Sequence, residues 1–436
     1  MCPLAEILHK EGYELSGSDN NETDTLARVR SLGIPVTLGQ KAENIEGAEL
    51  IVYTAAILPD NPELVAAKNS GIPSVERADL LGAITRLYSD CYCVCGTHGK
   101  TTVSSMLTQI MLQCDKDPSA VIGGELPLIR SHGRVGETQN MVCEACEFKD
   151  HFLKLDPDIA IILNVDADHL EYFKNIENII KSFNRFAKMA NKAVIYNGDD
   201  ANTLKAVADV GGKDMITFGL DKSNDFYAEN VEMVNAFAHF DAYKKGEKIG
   251  SVKLKVPGKH NVTNALAALA AADYCGIPFD KAITSLEQFG GACRRFEILA
   301  KLNGITFADD YAHHPTELRV TLEAAMQMKY RKVWAVFQPF TYSRTKKLMD
   351  DFAEVLKIPD ECVMTEIMGS REVNTEGVYT SQLAAKIPGS VWFNTFDEVA
   401  DYVLAHAQSG DLVITLGCGD IYKAAKLMIK RLENEK

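Results

Sequence analysis

Short, nearly continuous apolar runs alternate along the chain with longer segments whose apolar residues recur every three or four positions. Runs of the first kind are typical of strands buried on both faces, and segments of the second kind are typical of amphipathic helices. Strands are predicted at 90–95, 140–144 and 159–165, and helices at 100–112 and 262–274. This alternation predicts an α/β fold of mostly parallel sheets covered by helices.

The first 90 residues show the same alternation on a smaller scale. A helix is predicted at 4–10, ended by Gly12, and strands are predicted at 14–17 and 49–54. This is the pattern of a small nucleotide-binding fold, but the sequence opens inside the helix, whereas a βαβ unit needs a strand and a tight turn before it. We therefore expect this Rossmann-like domain to be truncated, without its first strand and phosphate-binding turn.

A third α/β segment begins after Gly290 and Gly291. Its strands are predicted at 305–308, 332–337, 362–365 and 412–416. Because domains usually have about 100 to 200 residues, a chain of 436 residues is expected to form several. We predict three: a truncated Rossmann-like domain at 1–90, a central parallel-sheet domain at 91–292 and a C-terminal Rossmann-like domain at 293–436.

Charge and composition narrow the classes of function. With 46% hydrophobic and 24% charged residues, the chain has the composition of an ordinary globular protein. A formal net charge of -14 opposes attraction to nucleic acid or anionic lipid. No apolar run reaches the roughly 18 residues of a spanning helix, and Met1 opens no signal segment. We expect a cytoplasmic protein with neither nucleic acid nor membrane as a partner.

Three of the eleven cysteines, Cys91, Cys93 and Cys95, alternate within the predicted strand 90–95. A metal site would need a further cluster or a nearby histidine pair to complete a tetrahedral set, and the sequence offers neither. We expect reduced thiols in the core.

The strongest chemical signal is a glycine-rich run between a predicted strand and a predicted helix: Gly96, Thr97, His98, Gly99, Lys100, Thr101 and Thr102. Backbone N–H groups of such a loop can surround phosphate oxygens, Lys100 can reach the β and γ phosphates, and the Thr101 hydroxyl can hold Mg²⁺. The general P-loop pattern has a glycine where Val94 stands, so the match is partial. A purely structural glycine turn is the alternative, but it leaves Lys100 and the two threonines unexplained. P-loops also occur in GTPases, kinases and motors, so other residues must indicate the reaction.

Two acidic clusters follow predicted strands of the central domain. Glu144 and Glu147 lie at the end of strand 140–144, and the run 164–169 contains Asp166, Asp168 and His169. Carboxylates at the carboxyl ends of parallel strands face the ligand crevice, where a metal that bridges phosphates would need them. A single such aspartate is most often a helix cap, but two clusters beside a phosphate loop favour a metal. Side-chain alternation makes Glu144 the weaker candidate, because it points Glu144 away from the face of Glu147.

With these motifs the chain resembles the Mur ligases, ATP-dependent enzymes that build the peptide stem of peptidoglycan. The matching segments occur in order over nearly the whole chain: 96–102, 144–147, 164–169, 257–265, 294–297 and 309–317. The segment 310–317, Asp-Tyr-Ala-His-His-Pro-Thr-Glu, is similar to that of the branch that adds L-alanine. The resemblance implies a central P-loop ATPase-like domain and an ADP-forming reaction in peptidoglycan precursor synthesis. ATP would phosphorylate the lactyl carboxylate of UDP-N-acetylmuramate, and the amine of L-alanine would attack the acyl phosphate.

The resemblance also implies roles for single residues. The implied catalytic residues are Lys100, Glu147, His169 and His313, and the implied Mg²⁺ ligands are Thr101, Glu147 and His169. Mn²⁺ should substitute, because histidine is an unusual ligand for Mg²⁺. The implied ATP contacts are the loop residues 96–102, Asn261, Asn264, Arg295 and Asp310. The implied UDP-sugar contacts are Ser18, Asp19, Thr54 with the following Ala55 and Ala56, and Arg344, whose planar fork suits a carboxylate or phosphate.

Several of these residues have structural alternatives. Asn261 and Asn264 could cap a helix, His169 could cap a strand end, and the His313–His314 pair before Pro315 could begin a helix. Some relatives carry a second arginine where Thr341 stands, so part of the expected clamp for an anion is absent or supplied elsewhere.

The main departure from the family lies at the start. Relatives bind the UDP-sugar with a glycine-rich turn immediately before a methionine that aligns with Met1. Two explanations for the missing turn are open: the start was assigned too far downstream, or the chain is a truncated relative with altered activity. The intact catalytic motifs favour the first. Two other functions stay open: a recycling ligase that joins a tripeptide to the same UDP-sugar, and a sensor that binds nucleotide or muropeptide without catalysis. We expect a monomer or a weak homodimer.

Overall fold

The computed structural model describes residues 1–55, 57–370 and 372–434, and it has the α/β fold that the alternation predicts. Residue contacts divide the chain into two compact units. The first unit comprises Met1–Asn230, Asp241–Val252 and Val262–Gln288, and the second comprises Val231–Phe240, Lys253–Asn261 and Phe289–Lys436. Within the described ranges, no helix is both long enough and apolar enough to cross a membrane.

The first 90 residues form short parallel strands with helices between them. In chain order the elements are α1 (Cys2–Lys10), β1 (Gly17–Asp19), α2 (Asp24–Ser31), β2 (Val36–Leu38), a 3₁₀ turn (Ala42–Ile45), β3 (Ile51–Tyr53), α3 (Pro62–Ser70), β4 (Ser74–Glu76) and α4 (Arg77–Thr85). β1 pairs with β2 and β3 pairs with β4, as two separate parallel pairs. The prediction of a strand at 14–17 is wrong by about three residues, because the bounds of β1 are set by pairing with β2, a distant segment.

The central part of the chain contributes most of a ten-stranded sheet. Its elements are β5 (Asp90–Cys95), α5 (Lys100–Gln113), β6 (Ser119–Leu126), β7 (Ser131–Arg134), β8 (Asn140–Glu144), a 3₁₀ segment (Phe148–Lys154), β9 (Ile159–Ile162), α6 (Leu170–Phe173), α7 (Ile176–Met189), β10 (Ala193–Asn197), α8 (Ala201–Val207), β11 (Asp214–Gly219), β12 (Phe226–Val234), β13 (Phe237–Lys244), β14 (Glu247–Pro257), α9 (His260–Tyr274) and α10 (Phe279–Gln288). The strand order is β14-β13-β12-β11-β10-β9-β5-β8-β6-β7. β5 lies between β8 and β9 and runs parallel to both.

The cysteines of β5 lie in the core, as predicted. Cys91, Cys93 and Cys95 are inaccessible to solvent, and the thiols of Cys91 and Cys93 are 3.6 Å apart. Among the residues that the structure describes, no set of three acidic, histidine or cysteine side chains could hold a metal by itself. The apolar run 90–95 therefore forms a strand covered on both faces.

The C-terminal part of the chain builds a second sheet. Its elements are β15 (Glu297–Leu302), β16 (Ile305–Asp310), α11 (Pro315–Met326), β17 (Val333–Phe337), α12 (Tyr342–Lys347), α13 (Met349–Val355), β18 (Glu361–Thr365), α14 (Thr380–Ala384), β19 (Val391–Phe393), α15 (Phe396–His406), β20 (Leu412–Leu416) and α16 (Tyr422–Asn434). The strand order is β15-β16-β20-β17-β18-β19, and only the β15–β16 pair is antiparallel. Apolar clusters cover both faces of this sheet, which is why its strands read as continuous apolar runs.

Candidate active site

The sheet register places the two predicted acidic clusters on either side of the phosphate loop. Glu144, the last residue of β8, lies opposite Val94 of β5, and Ile162, the last residue of β9, lies opposite Cys95. The loop 96–99 leaves β5 at this edge and enters α5. Parallel neighbours end at the same edge of a sheet, so residues far apart in the chain meet around the loop.

Two glycines allow the loop its path. Gly96 has φ 144° and Gly99 has φ 87°, a region that favours glycine. A Cβ on Gly96 would lie 2.9 Å from the Cβ of Leu163, and a Cβ on Gly99 would lie 2.7 Å from Oδ1 of Asn264. Neither position has room for a larger residue.

Asn164 fastens the loop to the end of β9. Its Oδ1 accepts the backbone N–H of His98 at 2.8 Å, and its Nδ2 donates to the carbonyl of His98 at 3.0 Å. The backbone N–H of Thr97 donates to the carbonyl of Asn164 at 3.1 Å. The Thr97 hydroxyl accepts the backbone N–H of Asp166 at 2.9 Å. Asn164 belongs to a recognised motif, but sequence reasoning assigned it no role; its place in the polar run 164–169, at the end of a predicted strand, was the available signal.

Lys100 bridges the loop and the segment after β8. Its Nζ donates to the carbonyls of Gly96 at 2.6 Å and Thr97 at 3.2 Å, and it lies 2.9 Å from Oε2 of Glu147. Glu147 is only 3% exposed. Burial by itself would lower the pKa of Lys100, but the neighbouring Glu147 carboxylate outweighs burial and raises that pKa. The ammonium group is therefore charged and aimed into the loop.

Glu144 also reaches the phosphate loop, contrary to the argument from alternation. Its Oε1 accepts the Thr101 hydroxyl at 3.0 Å, and its Oε2 accepts the backbone N–H of Gly123 at 2.7 Å. Strand alternation holds only within the strand, and Glu147 lies beyond its end. Glu144 therefore faces Thr101 while Glu147 faces Lys100, although sequence reasoning ranked Glu144 as the weaker candidate.

The groups of the phosphate loop, together with Glu144 and Glu147, fit a nucleoside triphosphate with a hard divalent cation. The loop offers backbone N–H groups, a helix N-terminus and the Lys100 ammonium to phosphate oxygens. The Thr101 hydroxyl and the carboxylates of Glu144 and Glu147 are oxygen ligands of the kind that Mg²⁺ prefers. Mg²⁺ usually shares its coordination with water and substrate phosphates, which agrees with the finding that no protein-only three-ligand set occurs among the described residues.

His169 lies close to the Glu147 segment. It precedes the short helix α6 with φ 52°, and its ring centroid is 4.7 Å from that of Phe148, the residue after Glu147. Its backbone N–H donates to Oδ1 of Asp168 at 2.7 Å. The segments that follow β8 and β9 thus meet at this histidine.

The two asparagines of α9 have different surroundings. Asn264 is 7% exposed and lies against Gly99 of the phosphate loop. Asn261 donates from Nδ2 to the carbonyl of Pro257 at 2.7 Å. Asn264 therefore supports the loop from the α9 side.

In the second unit, Asp310 organises the backbone at the carboxyl end of β16. Its Oδ2 accepts the backbone N–H of Phe296 at 2.8 Å, and its Oδ1 accepts that of Ala312 at 2.7 Å. Burial raises the pKa of Asp310 to about 6, against the lowering effect of Arg295 and the two backbone hydrogen bonds. The guanidinium of Arg295 lies 5.4 Å from the ring centroid of Tyr311.

His313 forms a compact pair with Glu317 on the next turn. Its Nδ1 lies 3.1 Å from Oε2 of Glu317 and 3.1 Å from the carbonyl of Tyr311. Burial would raise the pKa of Glu317, but His313 and Arg295 outweigh it and hold that pKa well below its ordinary range. His314 caps α11 by accepting the backbone N–H of Thr316, so the helix-start interpretation holds for the second histidine of the pair.

Arg344 on α12 is half-buried, and its guanidinium forms no hydrogen bond or ion pair with any residue in the described ranges. Thr341, where some relatives carry arginine, precedes α12 with φ 63° and accepts the Thr345 hydroxyl at its carbonyl. Ser343 is held by Glu372, which accepts its backbone N–H at 2.8 Å. The guanidinium of Arg344 thus has no anionic partner among these residues.

The predicted UDP-sugar residues of the first 90 positions lie at strand ends. The Ser18 hydroxyl in β1 donates to Oε2 of Glu63 at 2.6 Å, and Oδ1 of Asp19 accepts the backbone N–H of Asn21 at 3.0 Å. Thr54 directly follows β3, while Ala56 lies outside the described residues.

Three family models match successive parts of the chain. They are described as Mur ligase family, catalytic domain, over residues 1–89; Mur ligase middle domain, over 94–272; and Mur ligase, glutamate ligase domain, over 294–419. Curated relatives match across the same length. The UDP-N-acetylmuramate–L-alanine ligase of Agathobacter rectalis is 43% identical over 99% of this chain and 95% of its own length. The chain belongs to the Mur ligase family.

Solved Mur ligase structures agree with this assignment. The UDP-N-acetylmuramate-alanine ligase of Thermotoga maritima superposes with a TM-score of 0.85 at 27% identity, covering 100% of this chain and 97% of its own. The murein peptide ligase of Psychrobacter arcticus has a TM-score of 0.77 at 24% identity, covering 99% and 96%, and supports the fold alone.

In this Mur ligase the first unit gathers the loop residues, Glu147 and Asn264, with His169 beside Phe148. It also adds Glu144 and Asn164 to them. The second unit carries Arg295, Asp310, His313 and Arg344 near the carboxyl ends of β16, β17 and β20. The individual roles in ligand binding and catalysis stay predictions.

Proposed function

We propose that this Mur ligase joins L-alanine to the lactyl carboxylate of UDP-N-acetylmuramate with conversion of ATP to ADP and phosphate, in peptidoglycan precursor synthesis. The observation that carries the proposal is the loop in which Lys100 is held between two backbone carbonyls and Glu147 while Thr101 meets Glu144. Curated relatives 39–43% identical over at least 98% of the chain are named UDP-N-acetylmuramate–L-alanine ligases, which supports alanine as the acceptor.

We also propose which part of the chain binds each substrate. We assign the UDP-sugar to 1–90, ATP to 91–292 and the amino acid to 293–436. Ser18, Asp19 and Thr54 would contact the UDP-sugar.

The first step needs charge neutralisation and positioning. A lactyl carboxylate oxygen attacks the γ-phosphorus of ATP, ADP leaves, and an acyl phosphate forms. Lys100 would move from Glu147 and the loop carbonyls to phosphate oxygens and offset the charge that develops there. The backbone N–H groups of Gly99 to Thr102 would orient the same phosphates.

A divalent cation would neutralise further phosphate charge when it is bound, with Mg²⁺ as the expected ion and Mn²⁺ as a substitute. The residues that would hold it are Thr101, Glu144 and Glu147, with His169 as the predicted nitrogen ligand. Each of the first three offers an oxygen at the loop.

The second step takes place at the carbonyl carbon of the acyl phosphate. The neutral amine of L-alanine attacks this carbon, phosphate leaves, and the new amide nitrogen loses a proton. Arg344 would contact the UDP-sugar, because its guanidinium lacks an anionic partner among the described residues and its planar fork suits a carboxylate or phosphate. His313 lies on the same side of the second sheet, and Arg295 and Asp310 are assigned to ATP.

Phosphate release by the purified 436-residue chain tests the proposal. The chain is incubated with ATP, Mg²⁺ and UDP-N-acetylmuramate, with and without L-alanine, and the product is identified by its mass. Release that requires both the sugar nucleotide and alanine is the expected result. Release with a stem tripeptide but not with alanine would assign the recycling activity instead. Nucleotide binding without any release would favour a sensor.

The setting of the reaction is part of the proposal. ATP and a nucleotide sugar as substrates, together with the net charge of -14, fit an enzyme that works in the cytoplasm on small molecules. A monomer or weak homodimer is expected, and sedimentation velocity at micromolar concentration would measure it.

A further inference from the structure

A cleft opens beside the phosphate loop within the first unit. The cleft is small, with a volume of about 40 Å³. Its polar lining comes from Arg77 at the start of α4, Glu144 at the end of β8 and His151 in the 3₁₀ segment, while Leu81 and Phe152 contribute apolar surface.

Arg77 has no anionic partner in this cleft. It is half-buried, and no hydrogen bond or ion pair joins its guanidinium to any residue of the described ranges. Its charge lowers the pKa of the Met1 amino group and that of His151. Other arginines of the same unit are paired: Arg28 with Glu6, and Arg134 with Asp117. A guanidinium in such surroundings is suited to an anion that comes with a ligand.

The nearby acidic side chains are already engaged. Glu76 pairs with Nε2 of His151 at 3.0 Å, and Asp79 pairs with Lys154 at 2.7 Å. Glu144 accepts hydrogen bonds from Thr101 and Gly123. These carboxylates thus form their hydrogen bonds and ion pairs with residues other than Arg77, and Glu144 links the cleft to the phosphate loop.

The helix that carries Arg77 is closely packed against the 3₁₀ segment. A Cβ on Gly82 would lie 2.0 Å from the carbonyl oxygen of Lys154, so α4 approaches this backbone more closely than any larger residue would allow. The Thr85 hydroxyl also accepts the backbone N–H of Asp156 at 3.0 Å. A binding residue on such a base is held in place before the ligand arrives.

We propose that Arg77 binds the reacting lactyl carboxylate of UDP-N-acetylmuramate and positions it beside the phosphate loop, an inference that rests on the proposed function. The carboxylate must approach the γ-phosphate of ATP, and both groups are negative. A cation on the side of the carboxylate offsets this repulsion, while the planar guanidinium fixes the direction of the oxygens. Arg77 would thereby distinguish the sugar acid from sugar nucleotides that lack the carboxylate.

Equilibrium binding tests this proposal independently of turnover. Calorimetry is carried out on wild type, Arg77→Gln, Arg77→Lys and the control Arg86→Gln, which changes an exposed arginine at the other end of the same helix. The ligands are UDP-N-acetylmuramate and UDP-N-acetylglucosamine, which shares the uridine diphosphate but has no lactyl carboxylate. We expect Arg77→Gln to weaken binding of UDP-N-acetylmuramate roughly 10- to 100-fold, as for a hydrogen-bonded charge, with no change for UDP-N-acetylglucosamine.

The remaining outcomes are equally specific. Arg77→Lys should recover part of the affinity, and Arg86→Gln should match wild type. Equal weakening for both ligands would overturn the proposal and assign Arg77 to the diphosphate. Unchanged binding of UDP-N-acetylmuramate by Arg77→Gln would overturn it outright.

Steady-state kinetics then separate the proposal for Arg77 from the proposed function. Under the proposal, Arg77→Gln raises KM for UDP-N-acetylmuramate and leaves KM for ATP within about twofold. A wild-type chain that binds the sugar acid but does not ligate alanine would refute the proposed function and leave the Arg77 comparison valid.

Discussion

Replacement of Lys100 by alanine is expected to remove activity and also to destabilise the fold. The Lys100–Glu147 pair is buried: the two side chains are 15% and 3% exposed, and their charged atoms are 2.9 Å apart. Without Lys100, the Glu147 carboxylate stays buried with no counter-charge. Breaking such a pair costs about 3 kcal/mol or more, which corresponds to a fall of roughly 6–12 °C in Tm.

Two further variants separate charge from chemistry. The first is the double variant Lys100→Met/Glu147→Gln, in which no charge is left buried at this position. Its Tm should be close to that of wild type. Its phosphate release should stay at least about 100-fold below wild type, because the ammonium group is missing. Lys188→Ala is the matched control, because Lys188 forms an ion pair of 2.7 Å with Asp209 in which both side chains are exposed. It should alter Tm only slightly.

Differential scanning fluorimetry and phosphate release, measured on the same preparations, provide the test. Wild-type Tm for Lys100→Ala would refute the argument that Glu147 depends on this counter-charge. Turnover close to wild type would refute the assignment of Lys100 to phosphoryl transfer.

Two other expectations follow from the geometry. Gly99→Ala should raise KM for ATP at least about tenfold, because the new Cβ would lie 2.7 Å from Oδ1 of Asn264 and the residue has φ 87°. The control is Gly212→Ala, which has φ 77° but open space around it and should leave KM for ATP unchanged. Equal KM values for the two variants would contradict the steric argument. The second concerns Asp310, whose pKa of about 6 lies above its ordinary 3.8, so that the native state binds this proton more tightly and gains stability from it as the pH falls from 7 towards 4. Asp310→Asn lacks this proton site, so the Tm of wild type relative to the variant should rise between pH 7 and pH 5, and a difference that does not vary with pH would refute the assignment.

Local sequence was sufficient for the buried strands and for the phosphate loop. The strands at 90–95 and 140–144 have the predicted bounds, because an apolar run covered on both faces has little freedom in where it begins and ends. The loop was recognisable because Gly96 and Gly99 must adopt backbone angles that favour glycine. By contrast, β1 begins three residues after its prediction, since a short exposed strand takes its bounds from a distant partner.

The composition of the site depended on tertiary structure. Alternation along β8 gave no reason to bring Glu144 to Thr101, because that contact depends on where α5 begins and on how the backbone turns after the strand ends. Asn164 reaches the loop only because β9 lies beside β5 in the sheet, although the two strands are more than sixty residues apart in the chain. The open face of Arg77 depends on which neighbouring carboxylates are already paired. The sequence by itself determined the family, the α/β class and the phosphate loop, since these rest on local backbone geometry and apolar patterning. Only the tertiary structure decided which carboxylate meets which donor, because strand order and the packing of α4 and α9 set those distances.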